Sequence, residues 1–558
     1  MNKFFRLFLI VALLAVAASA SMSAAQAKPS GTVNVQILAL NDFHGNLLPP
    51  SGSSGRVGSI DAGGVEYLAT HINNLRAQNP NTVVVSAGDM VGASPLLSAL
   101  FHDEPTIEAF NLIGLDFNAV GNHEFDEGWA ELVRLQEGGC HPVDGCLDGD
   151  DFAGAEFQFL AANVTRKDNG KTIFPAYKMK SFAGAKVAFI GMTLEGTPSI
   201  VTPSGIADLN FLDEVETVNA LIPELKNKGI ETIVVLIHEG GLPASFNYNG
   251  CNGVSGPIVD IVNGFDDEVD VVISGHTHQP YNCTIDGKLV TSAFSFGRLV
   301  TKIDLTIDRA TGEVTTMAAD NRIVTRDVAK DSLLTALIAK YQAIAAPLEN
   351  RVIGSITASI TRTNNAAGES ALGDVIADAQ LYATADPANG GASIAFMNPG
   401  GIRADLTYAS SPVGEGDGIV TYGESFTVQP FGNNLVTLTL TGAQIDTLLE
   451  QQFVGCGQTA NRILQVSNGF TYSWSLSAPA CNKVDPSSIK LNGVTLDPAG
   501  NYRVTVNSFL ADGGDNFSVL VQGTNRLGGA VDTDALEGYF SVFSPVAPGP
   551  MNRITVLP

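Results

Sequence analysis

The sequence predicts an α/β fold in two parts joined by a helix, and three observations predict it. Short runs of β-branched and aliphatic residues alternate with stretches of helical periodicity, the pattern of a largely parallel sheet. Five of those runs end in His, Asp or Asn, at the strand ends where open α/β sheets present their binding residues. The 558 residues exceed what one ordinary core organises, and the motifs change character after a helical stretch at 331–349.

The chain starts with Lys3 and Arg6, an apolar run over 7–17, and small residues ending in Ala25-Gln26-Ala27. This reads as a secretory signal over 1–27, cleaved after Ala27. Its loss takes two positive charges from a net charge of −26 and leaves −28. A chain this acidic excludes binding to nucleic-acid polymers or anionic membranes through a basic face. An anionic substrate would need local attraction, from divalent cations and one or two arginines. No later stretch is apolar enough to span a membrane. Six cysteines suit an oxidising compartment; of the 15 pairings that six cysteines allow, their spacing suggests Cys140–Cys146, Cys251–Cys283 and Cys456–Cys481. The expectation is an exported chain, periplasmic or secreted.

In order, residues 33–40 read as a strand, followed by Asp42 and His44, which point the same way in an extended segment. Alone, that pair also fits an ordinary turn. Val65, Leu68, Ala69, Ile72 and Leu75 line one face of a helix, with His71 a surface neighbour. Residues 82–87 form a buried strand ending in Gly88-Asp89, and Pro105 and Gly114 bracket a helix. The run 117–120 delivers Gly121-Asn122-His123-Glu124-Phe125-Asp126. Here Asn122 offers an amide oxygen to a metal, His123 a proton, and Asp126 an orienting carboxylate. The same hexapeptide also fits a helix start, with Asn122 as cap and Glu124 and Asp126 answering the dipole.

A strand at 186–191 ends without polar residues, and a helix follows at 213–228. Strands at 231–237 and 269–274 end in His238 and in Gly275-His276-Thr277-His278; 299–307 and 313–317 form a hairpin. Asp42, His44, Asp89, Asn122, His238, His276 and His278 are seven ligands. They are too many for one tetrahedral zinc and suit two divalent metal ions, with Asp89 as the bridge. Mixed nitrogen and oxygen ligation fits Zn, Mn, Co or Fe.

Together these motifs resemble the calcineurin-like metallophosphoesterases, and NDFHGNLLP and GNHEFDEG are similar to the bacterial 5′-nucleotidase family. The resemblance implies a four-layer β-sandwich flanked by helices over 31–328. It implies one metal on Asp42, His44, Asp89 and His278, a second on Asp89, Asn122, His238 and His276, and His123-Asp126 as the catalytic pair. Periplasmic relatives often carry Gln where His278 stands.

Beyond a linker helix at 329–350, strand-like runs at 354–361, 393–397, 437–440 and 502–506 and a helix at 372–382 indicate an α+β domain, 351–558. Its turns at 398–403 (NPGGIR) and 430–433 (PFGN), and Phe509 before Gly513-Gly514-Asp515, are ordinary singly. The resemblance implies that Phe431 and Phe509 sandwich a nucleobase while Asn398, Arg403 and Asp515 hold polar groups. Relatives carry a further arginine ahead of the 372–382 helix, where only Arg362 is near. The implied function is removal of the 5′-phosphate of a nucleotide. A 2′,3′-cyclic phosphodiesterase or nucleotide-sugar pyrophosphohydrolase on the same machinery is the alternative, and a non-catalytic secreted binding protein is the rival of another class.

Overall fold

Val83 and Val85 of the strand Thr82–Ser86 face one side of their sheet and Val84 the other, and all three are buried. A strand apolar on both faces needs cover on both, and that need sets the N-terminal architecture. The computed structural model describes residues 30–558 except 51, 202 and 410–413, so the signal sequence read at 1–27 lies outside the described residues.

Two six-stranded sheets stack face to face. The first runs Val314–Ile323, Leu299–Asp308, Thr32–Leu40, Thr82–Ser86, Phe117–Ala119, Gln158–Leu160, parallel from Thr32–Leu40 onward. The second runs Pro280–Ile285, Lys288–Ala293, Val271–Ser274, Thr232–His238, Ala185–Thr193, Tyr177–Phe182, parallel except at its two edge pairs. Val35, Ile37, Phe189, Val234, Leu236 and Ile303 fill the space between the sheets. Helices cover the outer faces: Val65–Arg76 and Glu104–Ile113 on one side, Glu214–Asn227 and Pro257–Gly264 on the other. The result is the expected helix–sheet–sheet–helix sandwich, and it aligns the carboxyl ends of Thr32–Leu40, Thr82–Ser86, Phe117–Ala119, Thr232–His238 and Val271–Ser274.

The helix Ser332–Glu349 starts on Asp331, whose carboxylate accepts the Leu333 and Leu334 N–H groups. It buries Leu334, Ile338, Tyr341 and Ala345, one stripe at helical spacing, in the first domain's core. At roughly 1.5–3 kcal/mol per large apolar side chain, that stripe fastens the helix to the sandwich. Beyond it lies a five-stranded sheet in the order Gln465–Val466, Ile394–Met397, Asn501–Asn507, Asn434–Thr441, Thr524–Val531, with the helix Ala371–Thr384 packed alongside.

Two readings are corrected. The strand expected over 354–361 is confined to Val352–Ser355, paired with Ile419–Thr421; beyond it Ile356 and Ile360 bridge singly to Val546 and Leu406, which interrupts any ladder. His71 is half-buried, with its ring nitrogen 3.0 Å from the Thr325 carbonyl, because the Thr325 segment folds over that face of its helix. All three expected disulfides are present. Among the described residues, no helix is long and apolar enough to cross a membrane.

Candidate active site in the interdomain cleft

The aligned strand ends bring all seven proposed ligands into one cluster, buried except at the half-buried His276 and His278. Asp42, His44 and His278 place one ligand atom each within 4.8 Å of one another, as do Asp89, His238 and His276. Asp89 links the groups, with Oδ2 2.9 Å from His238 Nε2 and 3.6 Å from His44 Nε2. Asn122 Oδ1 lies 3.0 Å from His276 Nδ1. Asp42, His44, Asp89, His276 and His278 all have left-handed backbone, with φ between 48 and 69°. Such conformations cost on the order of 1–3 kcal/mol each in a non-glycine residue and persist where the surroundings impose them. The strand-to-loop turns are thus held in shapes that aim side chains at one point.

The donor set fits cations. His238 Nδ1–H donates to the Ala87 carbonyl at 2.7 Å and His44 Nδ1–H to the Gly92 carbonyl at 2.8 Å. Those bonds turn both Nε2 atoms inward. His44 Nε2 meets His278 Nε2 at 3.1 Å, while buried His238 Nε2 makes no hydrogen bond despite its nearness to Asp89. Ring nitrogens and buried carboxylates converging without enough protons between them are what divalent ions satisfy. The carboxylates make the cluster a place that favours positive charge. Burial opposes charge on His238, yet Asp89 and Asp42 outweigh it and carry its pKa up to about 10. Burial and the His238 charge push His276 down to about 3.

The helix-start reading of 121–126 fails. His123–Phe125 is a single 3₁₀ turn, and the Asn122 side chain caps nothing. Glu124 instead turns inward and accepts the backbone N–H groups of Gly121, Met90 and Asp89 at 2.6, 2.8 and 2.9 Å. It ties the Asn122 loop to the Asp89 loop. Gly121 permits this closeness, since a Cβ there would lie 2.2 Å from Asp89 Oδ1. Glu124→Gln turns an NH₂ toward one of those donors and is expected to cost about 1–3 kcal/mol, read as a lower thermal midpoint with the fold retained by circular dichroism.

His123 and Asp126 pair as read, Nδ1 lying 2.8 Å from Asp126 Oδ2, which also accepts the Ala93 N–H at 3.0 Å. Burial resists charging His123, but Asp126 and Asp89 raise its pKa. The pair lines a cavity of about 170 Å³ whose opposite wall holds Asn398, Arg403, Phe431, Phe509 and Asp515. The His123 and Phe431 rings lie 5.8 Å apart, nearly parallel. Arg403 is half-buried over Phe431 and senses Asp89, Asp126 and Asp42. Asn398 donates to Asp515 Oδ2 at 2.9 Å and accepts from Asn507 at 3.0 Å. Arg362 stays outside the cavity and braces the Arg403 loop by donating to the Arg403 carbonyl at 2.6 Å.

Sequence reasoning missed Arg462, which lines the cavity and ion-pairs with Asp515 Oδ1. It stands in an irregular loop, where no periodicity or motif distinguishes it. Ile200 and Val201, also in the wall, were missed for the same reason, whereas Asn507 ends the strand Asn501–Asn507, and its place just after the run read at 502–506 could have found it.

Residues 35–280 match the calcineurin-like phosphoesterase family, and residues 352–522 match the 5′-nucleotidase C-terminal domain. Endonuclease YhcR of Bacillus subtilis is 33% identical over 95% of this chain, which spans 42% of that protein's length. Cell wall protein Lmo0130 of Listeria monocytogenes is 32% identical, over 96% of this chain and 70% of its own length. Among solved structures, a 5′-nucleotidase precursor from Thermus thermophilus superposes with a TM-score of 0.76 at 27% identity, covering 94% of this chain and 99% of that one.

Proposed function

Since the chain belongs to the 5′-nucleotidase family, with a calcineurin-like phosphoesterase region ahead of a 5′-nucleotidase C-terminal domain, we propose that it is an exported dimetal phosphohydrolase that removes the 5′-phosphate of nucleotides. The observation that carries this reading is a single cavity bounded by the Asn122, His123 and His276 loops on one side and by Arg403, Phe431 and Phe509 on the other. Phosphate and nucleoside each find complementary chemistry there.

Asp42, His44, Asp89 and His278 would hold one divalent ion, and Asp89, Asn122, His238 and His276 the second. Bound ions supply Lewis acidity toward the phosphoryl group and lower the pKa of water. The chain does the rest. His123, its Nδ1–H given to Asp126, keeps Nε2 for the phosphoryl oxygen or the departing 5′-oxygen. Arg403 offsets phosphate charge. Phe431 and Phe509 offer faces that stack on any base, which supports broad base tolerance. Asp515 meets the sugar end of the cleft with one oxygen held by Asn398 and the other by Arg462, so Arg462 also shapes what binds there. Domain bounds of 31–328, 329–350 and 351–558, and export directed by residues 1–27, belong to the same reading.

The test is phosphate release from AMP by the mature protein, before and after chelation. Activity abolished by EDTA and restored by Mn or Co is the expected result. Turnover of a 2′,3′-cyclic nucleotide or a UDP-sugar without turnover of AMP would move the substrate to the alternative class.

A further inference from the structure

Outside the cleft cluster, one group of side chains has the makings of a second cation centre. His102, Glu127 and His141 bring one ligand atom each to within 4.8 Å of one another. His102 Nδ1 lies 2.7 Å from Glu127 Oε2, and its Nε2 lies 3.0 Å from Asp144 Oδ2. The same Asp144 oxygen is 3.2 Å from His141 Nδ1, which accepts the Asp144 backbone N–H at 3.1 Å. The two imidazoles stack with centroids 3.8 Å apart and planes 18° off parallel. Three distant pieces of chain meet here: a residue in left-handed backbone at His102, the residue after Asp126, and the loop closed by Cys140–Cys146.

We propose that His102, Glu127 and His141 form a separate site for a divalent transition ion of the zinc type, with Asp144 orienting both rings. The ligand chemistry is imidazole and carboxylate without thiolate, which suits zinc and its neighbours. Glu127 and Asp144 together offset the charge of a divalent ion. A ligating histidine ordinarily gives its other ring nitrogen to a carboxylate. Here His102 Nε2 already faces Asp144, which leaves Nδ1 beside Glu127. For His141 to ligate through Nε2, Nδ1 carries the proton and gives it to Asp144 Oδ2, 3.2 Å away, in place of accepting the Asp144 N–H. Parallel rings aim their lone pairs side by side, so binding opens the stack by turning a ring. The half-buried histidines and exposed carboxylates leave room for that.

The site is placed to matter. His102, Asp126, His123 and Phe431 line one small cavity on the outer side of the catalytic pair. An ion on Glu127 would tie the disulfide loop to the residue that follows Asp126.

The experiment is equilibrium dialysis of the mature protein against buffered zinc, with metal per chain measured beside the His102→Ala/His141→Ala variant. The wild type is expected to hold one more equivalent, and Glu127→Gln to weaken that equivalent by about 10-fold or more. Adding His102→Ala/His141→Ala to an Asp89→Asn background is expected to remove the same equivalent, which separates this site from the cleft cluster whatever becomes of the nucleotidase reading. Equal zinc content in wild type and double variant, both folded with matching metal-free melting temperatures, would overturn the proposal.

Discussion

Asp89→Asn is expected to lower kcat/KM for AMP by about 10³-fold or more and to reduce the divalent metal held by the cleft cluster. Asp89 approaches both halves of the cluster more closely than Asp42 does, reaching His238 at 2.9 Å and His44 at 3.6 Å where Asp42 stands 4.0 Å from each. The asparagine keeps an oxygen for the His123 N–H, which Asp89 Oδ1 accepts at 2.9 Å, so the loop geometry survives while the charge goes. An amide is a weak ligand and a poor bridge between cations. Metal content by dialysis is therefore the deciding measurement, and activity follows it. A variant with wild-type metal content and wild-type turnover would remove Asp89 from the bridging role. Loss of fold is the competing explanation, and the melting temperature of the metal-free variant separates the two. Losing one partner of a buried charge pair itself costs about 3–5 kcal/mol, so a lower midpoint with a cooperative melt marks a folded variant, and a non-cooperative melt marks lost fold.

What made the cluster legible in the sequence was the coincidence of two simple patterns. Val83-Val84-Val85 and Ile233-Val234-Val235 are apolar on both faces, which demands a covered parallel strand, and parallel strands put their carboxyl ends on one edge. Asp89 and His238 stand at those ends, so their meeting follows from topology. The resemblance then assigned the cleft's far wall, where Phe431 and Phe509 look like any turn and core aromatics. Glu124 had a role only in the helix-start alternative, because two of its partners, Asp89 and Met90, are more than thirty positions away. Arg462 and the His102–His141 stack were invisible for a related cause. Each depends on an irregular loop folding back onto a distant one, and loop return paths carry no periodicity. The strand expected over 354–361 failed on the same ground: β-branched composition is present, but Ile356 and Ile360 find isolated partners instead of a continuous edge.

His123→Ala is expected to reduce kcat by about 10²–10⁴-fold with KM for AMP and metal content little changed. One of the His123 ring nitrogens comes within 4.8 Å of ligand atoms of His44 and Asp89, yet it stands outside the ligand set proposed for the two ions. Its Nδ1 is committed to Asp126, and its ring stands 5.0 Å from His44 and 5.8 Å from Phe431, between the proposed metal loops and the proposed base-stacking wall. On the proposed reading, a group so placed meets the substrate where the phosphorus–oxygen bond breaks. Truncation therefore removes a contact made most strongly in the transition state, and the loss falls on kcat. Asp126→Asn separates orientation from chemistry. It keeps the side-chain shape and the acceptor for Ala93 but withdraws the charge that supports a proton on His123, so its cost should be smaller, about 10–100-fold. A substrate whose leaving group departs without a proton, such as a p-nitrophenyl ester, decides between the two roles open to His123. If His123→Ala is nearly as damaged on that ester as on AMP, the imidazole stabilises charge on the transferring phosphoryl group. If the ester restores most of the rate, its work on AMP is to protonate the departing 5′-oxygen. Full activity of His123→Ala on both substrates would exclude it from the mechanism altogether.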